Sequence, residues 1–220
     1  MLTIYSDPVS LYCAKLRVLL RHKRLSWDDV PPKGGYGSAE YRAIVPSGNL
    51  PAMVHDGFML ADSEAIAEYL EEAFPQTAML PDTISARAKV REKGRLHDTR
   101  LEPAVRQLYP YVAYETRNRQ AVLAAAVAIK KALSSLDLLL SSDALTDNQL
   151  RLRDCGNAVC FAWIKAFEKT LDLPINWPER VVAYDRNLNS FPAVQAELAA
   201  YAAAMAGYLK KAAPPISRQK

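Results

Sequence analysis

Pro46-Ser47-Gly48-Asn49-Leu50-Pro51-Ala52-Met53-Val54-His55-Asp56-Gly57-Phe58-Met59-Leu60-Ala61-Asp62-Ser63-Glu64-Ala65-Ile66 is the stretch whose reading decides the fold. Pro46, Ser47 and Gly48 make a turn, and Pro51 stands immediately before an apolar run. Lacking an N–H, a proline can open a strand but cannot sit inside one. Ala52-Met53-Val54 and Phe58-Met59-Leu60 flank Asp56-Gly57, a strong hairpin signal, so two antiparallel strands are predicted. A helix follows directly over residues 63–74, where Ile66, Tyr69, Leu70 and Ala73 form an apolar stripe and Asp62 or Ser63 caps the start.

Toward the N-terminus, Leu2-Thr3-Ile4-Tyr5 reads as a buried strand broken by Asp7-Pro8. Residues 11–22 read as a helix capped by Ser10, with Cys13, Leu16, Leu19 and Leu20 inward and Lys15, Arg21 and Lys23 left for solvent. A second strand is predicted over 25–30, then a Pro- and Gly-rich loop and a short helix at 38–43. The order strand, helix, strand, helix, strand, strand, helix joins a βαβ unit to a ββα unit, which is a thioredoxin-like arrangement. Pro75 and Pro81 end the third helix, and strand signals largely disappear beyond them. Helices are predicted over 86–108, interrupted by Pro103, and over 120–140, 155–171 and 193–209. The expected class is therefore α/β plus all-α: a thioredoxin-like domain at 1–77 and a helical bundle at 85–220.

The 28 Lys and Arg against 24 Asp and Glu give a net charge of +4 with both signs interspersed, which argues against nucleic acid as a partner. The sequence holds no uncharged apolar stretch long enough to span a bilayer, so no membrane partner is expected. Three cysteines, Cys13, Cys155 and Cys160, cannot all pair and match no zinc or haem spacing. With no basic segment and apolar run at the start, a reducing, cytoplasmic location is the expectation. His22, His55 and His97 are dispersed, so no metal is expected. Gly34-Gly35-Tyr36-Gly37 lacks the nucleotide-binding pattern, and no serine–histidine–acid constellation stands out.

Three places carry candidate chemistry. Ser10 and Cys13 lie at the mouth of the first helix, where free N–H groups and the dipole favour an anion. A free thiol ionises near 8.5, so holding it as thiolate at pH 7 requires about 2.7 kcal/mol. One hydrogen bond to a charged group contributes about 1.5–3 kcal/mol and a helix N-terminus about 0.3–1 kcal/mol, which is the size required. Ser10 as an ordinary N-cap and Cys13 as a small buried hydrophobe explain the same residues, as does a redox site that keeps one cysteine. At Leu50-Pro51, a cis bond would leave Leu50's backbone groups free for an extended peptide; an ordinary trans proline at a strand start is the alternative. Asp62 and Ser63 at a helix N-terminus serve as caps, and together suit a carboxylate and an ammonium, the two groups of a free amino-acid end.

With these features in this order and spacing, the chain resembles the glutathione S-transferase superfamily, in particular its bacterial and plant serine- or cysteine-type members. The resemblance covers nearly the whole chain and is most specific over residues 1–80. It implies glutathione as co-substrate, with Ser10 bonding its sulfur, Leu50 before a cis Pro51 pairing with the cysteinyl backbone, and Asp62 and Ser63 holding the γ-glutamyl end. Asn49 stands where the family often has a lysine or similar polar residue near the glycyl carboxylate. Tyr109, Tyr111 and Tyr114, read on the first long helix of the second domain, line an electrophile pocket facing Ser10 or serve as packing or dimer contacts. Arg151 replaces the serine or threonine that relatives often carry three residues before Asp154. The implied activity is attack of the glutathione thiolate on a hydrophobic electrophile by a homodimer. Alternatives are a Cys13-dependent thiol transferase, reductase, etherase or dehalogenase, and a non-catalytic binding or regulatory module.

Overall fold

The computed structural model describes residues 1–141 and 149–212; residues 142–148 and 213–220, inside the expected helical domain, lie outside the described residues. The first part runs β1 (Leu2–Tyr5), α1 (Leu11–His22), β2 (Trp27–Val30), α2 (Ala39–Arg42), β3 (Ala52–His55), β4 (Phe58–Ala61) and α3 (Ser63–Ala73). The strands form one sheet in the order β2-β1-β3-β4, parallel between β1 and β2 and antiparallel elsewhere. Alternation within β1 sends Leu2 and Ile4 into the core, and the register sets Ile4 opposite the fully buried Met53. Asp56 and Gly57, both at positive φ, close the β3–β4 hairpin, the backbone that an Asp-Gly pair adopts at least strain.

The remainder is helical: α4 (Ile84–Leu96), α5 (Glu102–Arg106), α6 (Arg119–Leu140), α7 (Asp154–Thr170), α8 (Glu179–Leu188) and α9 (Pro192–Leu209). Between α4 and α5 the chain makes a π-helical turn, His97–Leu101, in which the Glu102 N–H bonds the His97 carbonyl five residues back. The extra residue falls just ahead of Pro103, which has no N–H to offer, so the predicted interruption takes the form of a widened turn. The helix ends at Arg106, short of the sequence expectation, because Pro110 cannot donate to the carbonyl four residues earlier. Tyr109, Tyr111 and Tyr114 consequently stand in 3₁₀ turns, Tyr109–Tyr111 and Tyr114–Thr116, rather than on a long helix. α8 is absent from the sequence expectation because it is only ten residues long and its inward stripe, Val181, Tyr184 and Leu188, is blurred by the adjoining apolar Val182 and Ala183.

A single apolar core runs through both parts, with α1 packed between the sheet side and helices α7 and α9. Among the described residues no helix is long and apolar enough to cross a membrane. Lys15 and Lys23, expected in solvent, are buried instead. Each is neutralised on the spot: Lys15 by Glu64 and Asp98, Lys23 by Glu71 and the carbonyls of Phe74 and Thr77. At the start of α7, the Asp154 carboxylate accepts the Arg151 N–H at 2.7 Å and the Tyr184 hydroxyl at 2.5 Å, so half of the reciprocal cap survives without a hydroxyl at 151.

Gly156 on α7 faces the His97 ring, and a Cβ there would stand 2.4 Å from His97 Cε1. Gly156→Ala is therefore expected to lose about 2 kcal/mol of stability despite alanine's better helix propensity. Urea denaturation of the single and double variants with His97→Ala checks this: the loss should shrink once the ring is gone, and an equal loss in both backgrounds would contradict the contact.

Candidate active site

Two adjoining cavities open along the junction between the sheet part and the helical part. The first, about 480 Å³, is walled by Ser47, Asn49 and Leu50 ahead of β3, by Asp62, Ser63 and Glu64 at the start of α3, and by Arg95 and Asp98 from the helical side. The second, about 340 Å³, is walled by Val9, Ser10 and Leu11 at the mouth of α1 and by Glu102, Tyr109 and Tyr208. Tyr12, Tyr36, Leu50 and Arg106 belong to both. One cavity is polar and suits an extended peptide; the other has an apolar, aromatic wall.

Ser10 caps α1, its Oγ accepting the Cys13 N–H at 3.3 Å. Accepting through a lone pair leaves the hydroxyl hydrogen free to donate toward the cavity that Ser10 lines. The loop before it is fixed from the helical side: Trp163 Nε1 donates to the Tyr201 hydroxyl at 2.8 Å, and that hydroxyl donates to the Val9 carbonyl. No acidic residue stands in the first turn of α1, so its positive end is not neutralised within the helix. Cys13, by contrast, is fully buried. Burial pushes its thiol above the ordinary value, against the opposing pull of the Ser10 hydroxyl.

The Leu50-Pro51 peptide bond is cis. Among the described residues neither the Leu50 N–H nor its C=O has a partner, while the Asn49 carbonyl just before it accepts the Tyr41 hydroxyl. Asp62 caps α3 from a positive φ of 83°, its Oδ1 accepting the N–H groups of Glu64 and Ala65 at 3.0 and 3.1 Å. Such a backbone costs on the order of 1–3 kcal/mol in a non-glycine residue and is found where a site over-determines it. Ser63, buried beside it, opens the helix.

Beneath this floor lies the Lys15 ammonium, 2.5 Å from Glu64 and 2.9 Å from Asp98. Burial works against its charge, but the two carboxylates more than offset that and hold Lys15 above its ordinary pKa. For Asp98 burial likewise opposes ionisation, yet the His97 ring at 2.9 Å and Lys15 hold the carboxyl well below the usual range. Tyr12, at the seam of the two cavities, donates to the Asp98 carbonyl; burial and the Glu102 carboxylate push its phenol far up, so it stays protonated.

Of the sequence-predicted residues, Ser10, Asn49, Leu50, Asp62, Ser63 and Tyr109 line this pair of cavities. Cys13 lies behind Ser10 in the core, and Pro51 is buried behind Leu50. Tyr111 packs against the core, the second of the two roles expected of it, and Tyr114 is exposed beneath Arg117; neither lines these two cavities. Tyr12, Tyr36, Arg95, Asp98, Glu102, Arg106 and Tyr208 were not anticipated. Tyr12 alone had a sequence signal, its place two residues after the capping serine.

Residues 4–78 match the model of the glutathione S-transferase N-terminal domain family. Among known proteins, probable maleylacetoacetate isomerase 1 of Drosophila melanogaster is 37% identical over 106 residues, 46% of this chain and 43% of that protein. Glutathione S-transferase 1 of Dianthus caryophyllus is 28% identical over 145 residues, 64% of this chain and 66% of that one. The aligned stretch thus spans about half the length of these relatives. A solved glutathione S-transferase of Rhodospirillum rubrum superposes with a TM-score of 0.71 at 25% identity, covering 90% of this chain and 92% of that one. Over residues 4–78 the chain belongs to the glutathione S-transferase N-terminal domain family, and its fold as a whole matches that of the solved transferase. Its two cavities meet at Tyr12, Tyr36, Leu50 and Arg106, with the capping Ser10 in the wall of the second and the helical half closing the other side.

The Asp98 cluster should make the fold acid-sensitive in a defined way. A carboxyl whose folded pKa is depressed contributes stability above its unfolded value, near 3.8, and that contribution is lost as pH falls through the folded value. Asp98→Asn should cost about 3 kcal/mol at neutral pH, because the buried Lys15 ammonium loses one of its two counter-charges. The gap to wild type should narrow below pH 3.8. Urea titrations at several pH values read both; a gap independent of pH would refute the assignment.

Proposed function

We propose that the protein is a glutathione transferase in which Ser10 holds the glutathione sulfur as a thiolate and an apolar electrophile occupies the second cavity. The observation that carries the reading is the position of Ser10, a partly buried hydroxyl capping a helix with no acidic residue in its first turn and lining the aromatic cavity, which shares Tyr12, Tyr36, Leu50 and Arg106 with a peptide-sized polar one. The free backbone of Leu50 supports main-chain pairing with the cysteinyl residue, in the manner of an added strand. Ser63 and the α3 N-terminus suit the γ-glutamyl carboxylate, and Asp62 suits its ammonium. The two relatives named an isomerase and a transferase support an activity of this kind.

In the reaction, the glutathione thiol releases its proton to solvent water, Ser10 donates a hydrogen bond to the sulfur anion, and the sulfur pair forms a C–S bond with the electrophilic carbon. The displaced electron pair leaves with the departing group or moves along a polarised double bond. No covalent bond to the enzyme forms. Holding both reactants in adjoining cavities adds proximity to activation. Cys13 is the weaker candidate for the working thiolate, because burial favours its neutral form. A cytoplasmic homodimer, divided into the two expected domains, completes the proposal.

Ultraviolet thiolate absorbance of bound glutathione against pH tests it. Ser10→Ala should raise the bound thiol's pKa by about 1–2 and lower kcat/KM roughly ten- to a hundredfold, while Cys13→Ala leaves the ionisation in place. Dependence on Cys13 with indifference to Ser10 would shift the chemistry to thiol exchange.

A further inference from the structure

Resting on the glutathione reading, a charge argument identifies one more binding residue. The tripeptide carries a carboxylate at each end and an ammonium at one. Its γ-glutamyl end is provided for at Asp62 and Ser63; beyond Leu50 the cavity wall continues through Asn49, Ser47 and Tyr36, none of which carries a cation. A carboxylate left there with neutral partners only would be weakly held.

Among the described residues, the cations lining this cavity are Arg95 and Arg106. Arg95 stands 3.6 Å from Asp98, whose carboxylate also holds Lys15 against Glu64, and so lies at the α3 end. Arg106 shares its wall with Leu50 and Tyr36 in both cavities. Partial burial disfavours its charge, but the Glu102 carboxylate raises its pKa beyond that, with the hydroxyls of Tyr12 and Tyr36 within range of the same charge. Tyr36 in turn donates to Asn49 Oδ1 at 3.4 Å, which brings the uncharged end of the cavity next to the guanidinium.

The guanidinium is also presented in a fixed pose. Glu102, 2% exposed, accepts from Nε at 2.9 Å and from one terminal nitrogen at 2.7 Å, and the Tyr12 ring lies 5.1 Å beneath. Among the described residues the other terminal nitrogen has no partner, and the Arg106 side chain is 56% exposed to the cleft. A fork held on one edge by a buried carboxylate and bare on the other is preorganised for a second carboxylate.

We infer that Arg106, contributed by the helical half, binds the glycyl carboxylate of glutathione. Calorimetric titration of wild type, Arg106→Ala and Arg106→Lys with glutathione and with its glycyl monoethyl ester tests this, because the ratio of the two affinities within one variant does not depend on how much of the protein is folded. Wild type is expected to prefer the free acid about tenfold, Arg106→Ala to bind acid and ester alike, and Arg106→Lys to keep a preference for the acid. An acid-to-ester ratio unchanged in Arg106→Ala, or a wild type that binds both equally, overturns the inference and leaves the glutathione reading standing. A wild type that binds neither ligand overturns both.

Discussion

The buried ammonium of Lys15 organises the polar floor on which the candidate site rests. It joins three elements that are far apart in sequence: α1, the first turn of α3 through Glu64, and the π-helical turn through Asp98. Removing such a charge from water is costly, and the cost is recovered only when partners are close and fixed. That requirement makes the cluster restrictive. The start of α3, with Asp62 and Ser63, can take only a position that lets Glu64 reach Lys15, and the helical half can dock only where Asp98 completes the pair. A lysine stem also passes through apolar surroundings without exposing backbone, which is why α1 tolerates it on a packed face.

The π-helical turn follows from the same constraint. Pro103 removes one backbone donor, and the chain absorbs this with one extra residue in the turn immediately before it. The widened turn directs Asp98 toward Lys15 and lays the His97 ring against the bare Cα of Gly156. His97 Nδ1 then bonds Asp98 at 2.9 Å, so a glycine on α7, a histidine and a carboxylate form one chain of contact ending beneath α3. A second buried pair, Arg17 and Arg21 on Glu197, fastens α1 to α9 in the same manner. Between them they lock α1, and therefore Ser10, to the helical half.

Much of the architecture was legible because it rests on local rules. The Asp56-Gly57 hairpin, the caps at Ser10 and Asp62, and the proline before β3 are each dictated by backbone sterics within a few residues. Ser10, Leu50, Asp62 and Ser63 could be named for the same reason. Lys15 and Lys23 could not be placed, since their burial depends on Glu64, Asp98 and Glu71, whose proximity only the tertiary fold creates. Arg106 and Glu102 were equally hidden: an i,i+4 ion pair on a helix is ordinarily a solvated surface feature, and nothing in the sequence marks its carboxylate as buried. Tyr109, Tyr111 and Tyr114 lie beyond the end of the helix in 3₁₀ turns, and Pro110 is the signal in the sequence for that.

On the proposed reading, the energetics of thiol activation show what a serine at this place has to supply. About 2.7 kcal/mol is required to bring a free thiol's ionisation to neutral pH or slightly below. In that reading α1 contributes through its dipole without an acidic first-turn residue to cancel it, and the Ser10 hydroxyl, whose lone pair caps Cys13, contributes one hydrogen bond through its own hydrogen. Asp7 acts in the opposite direction, for its carboxylate borders the same cavity. Its Oδ1 accepts the Val9 N–H at 2.8 Å, which diverts part of that negative charge into the loop. Tyr12 cannot substitute for Ser10, since its hydroxyl is committed to the Asp98 carbonyl and its phenol is held protonated. The proposed role therefore falls to the Ser10 hydroxyl, and the work it asks for is of the size that one hydrogen bond supplies.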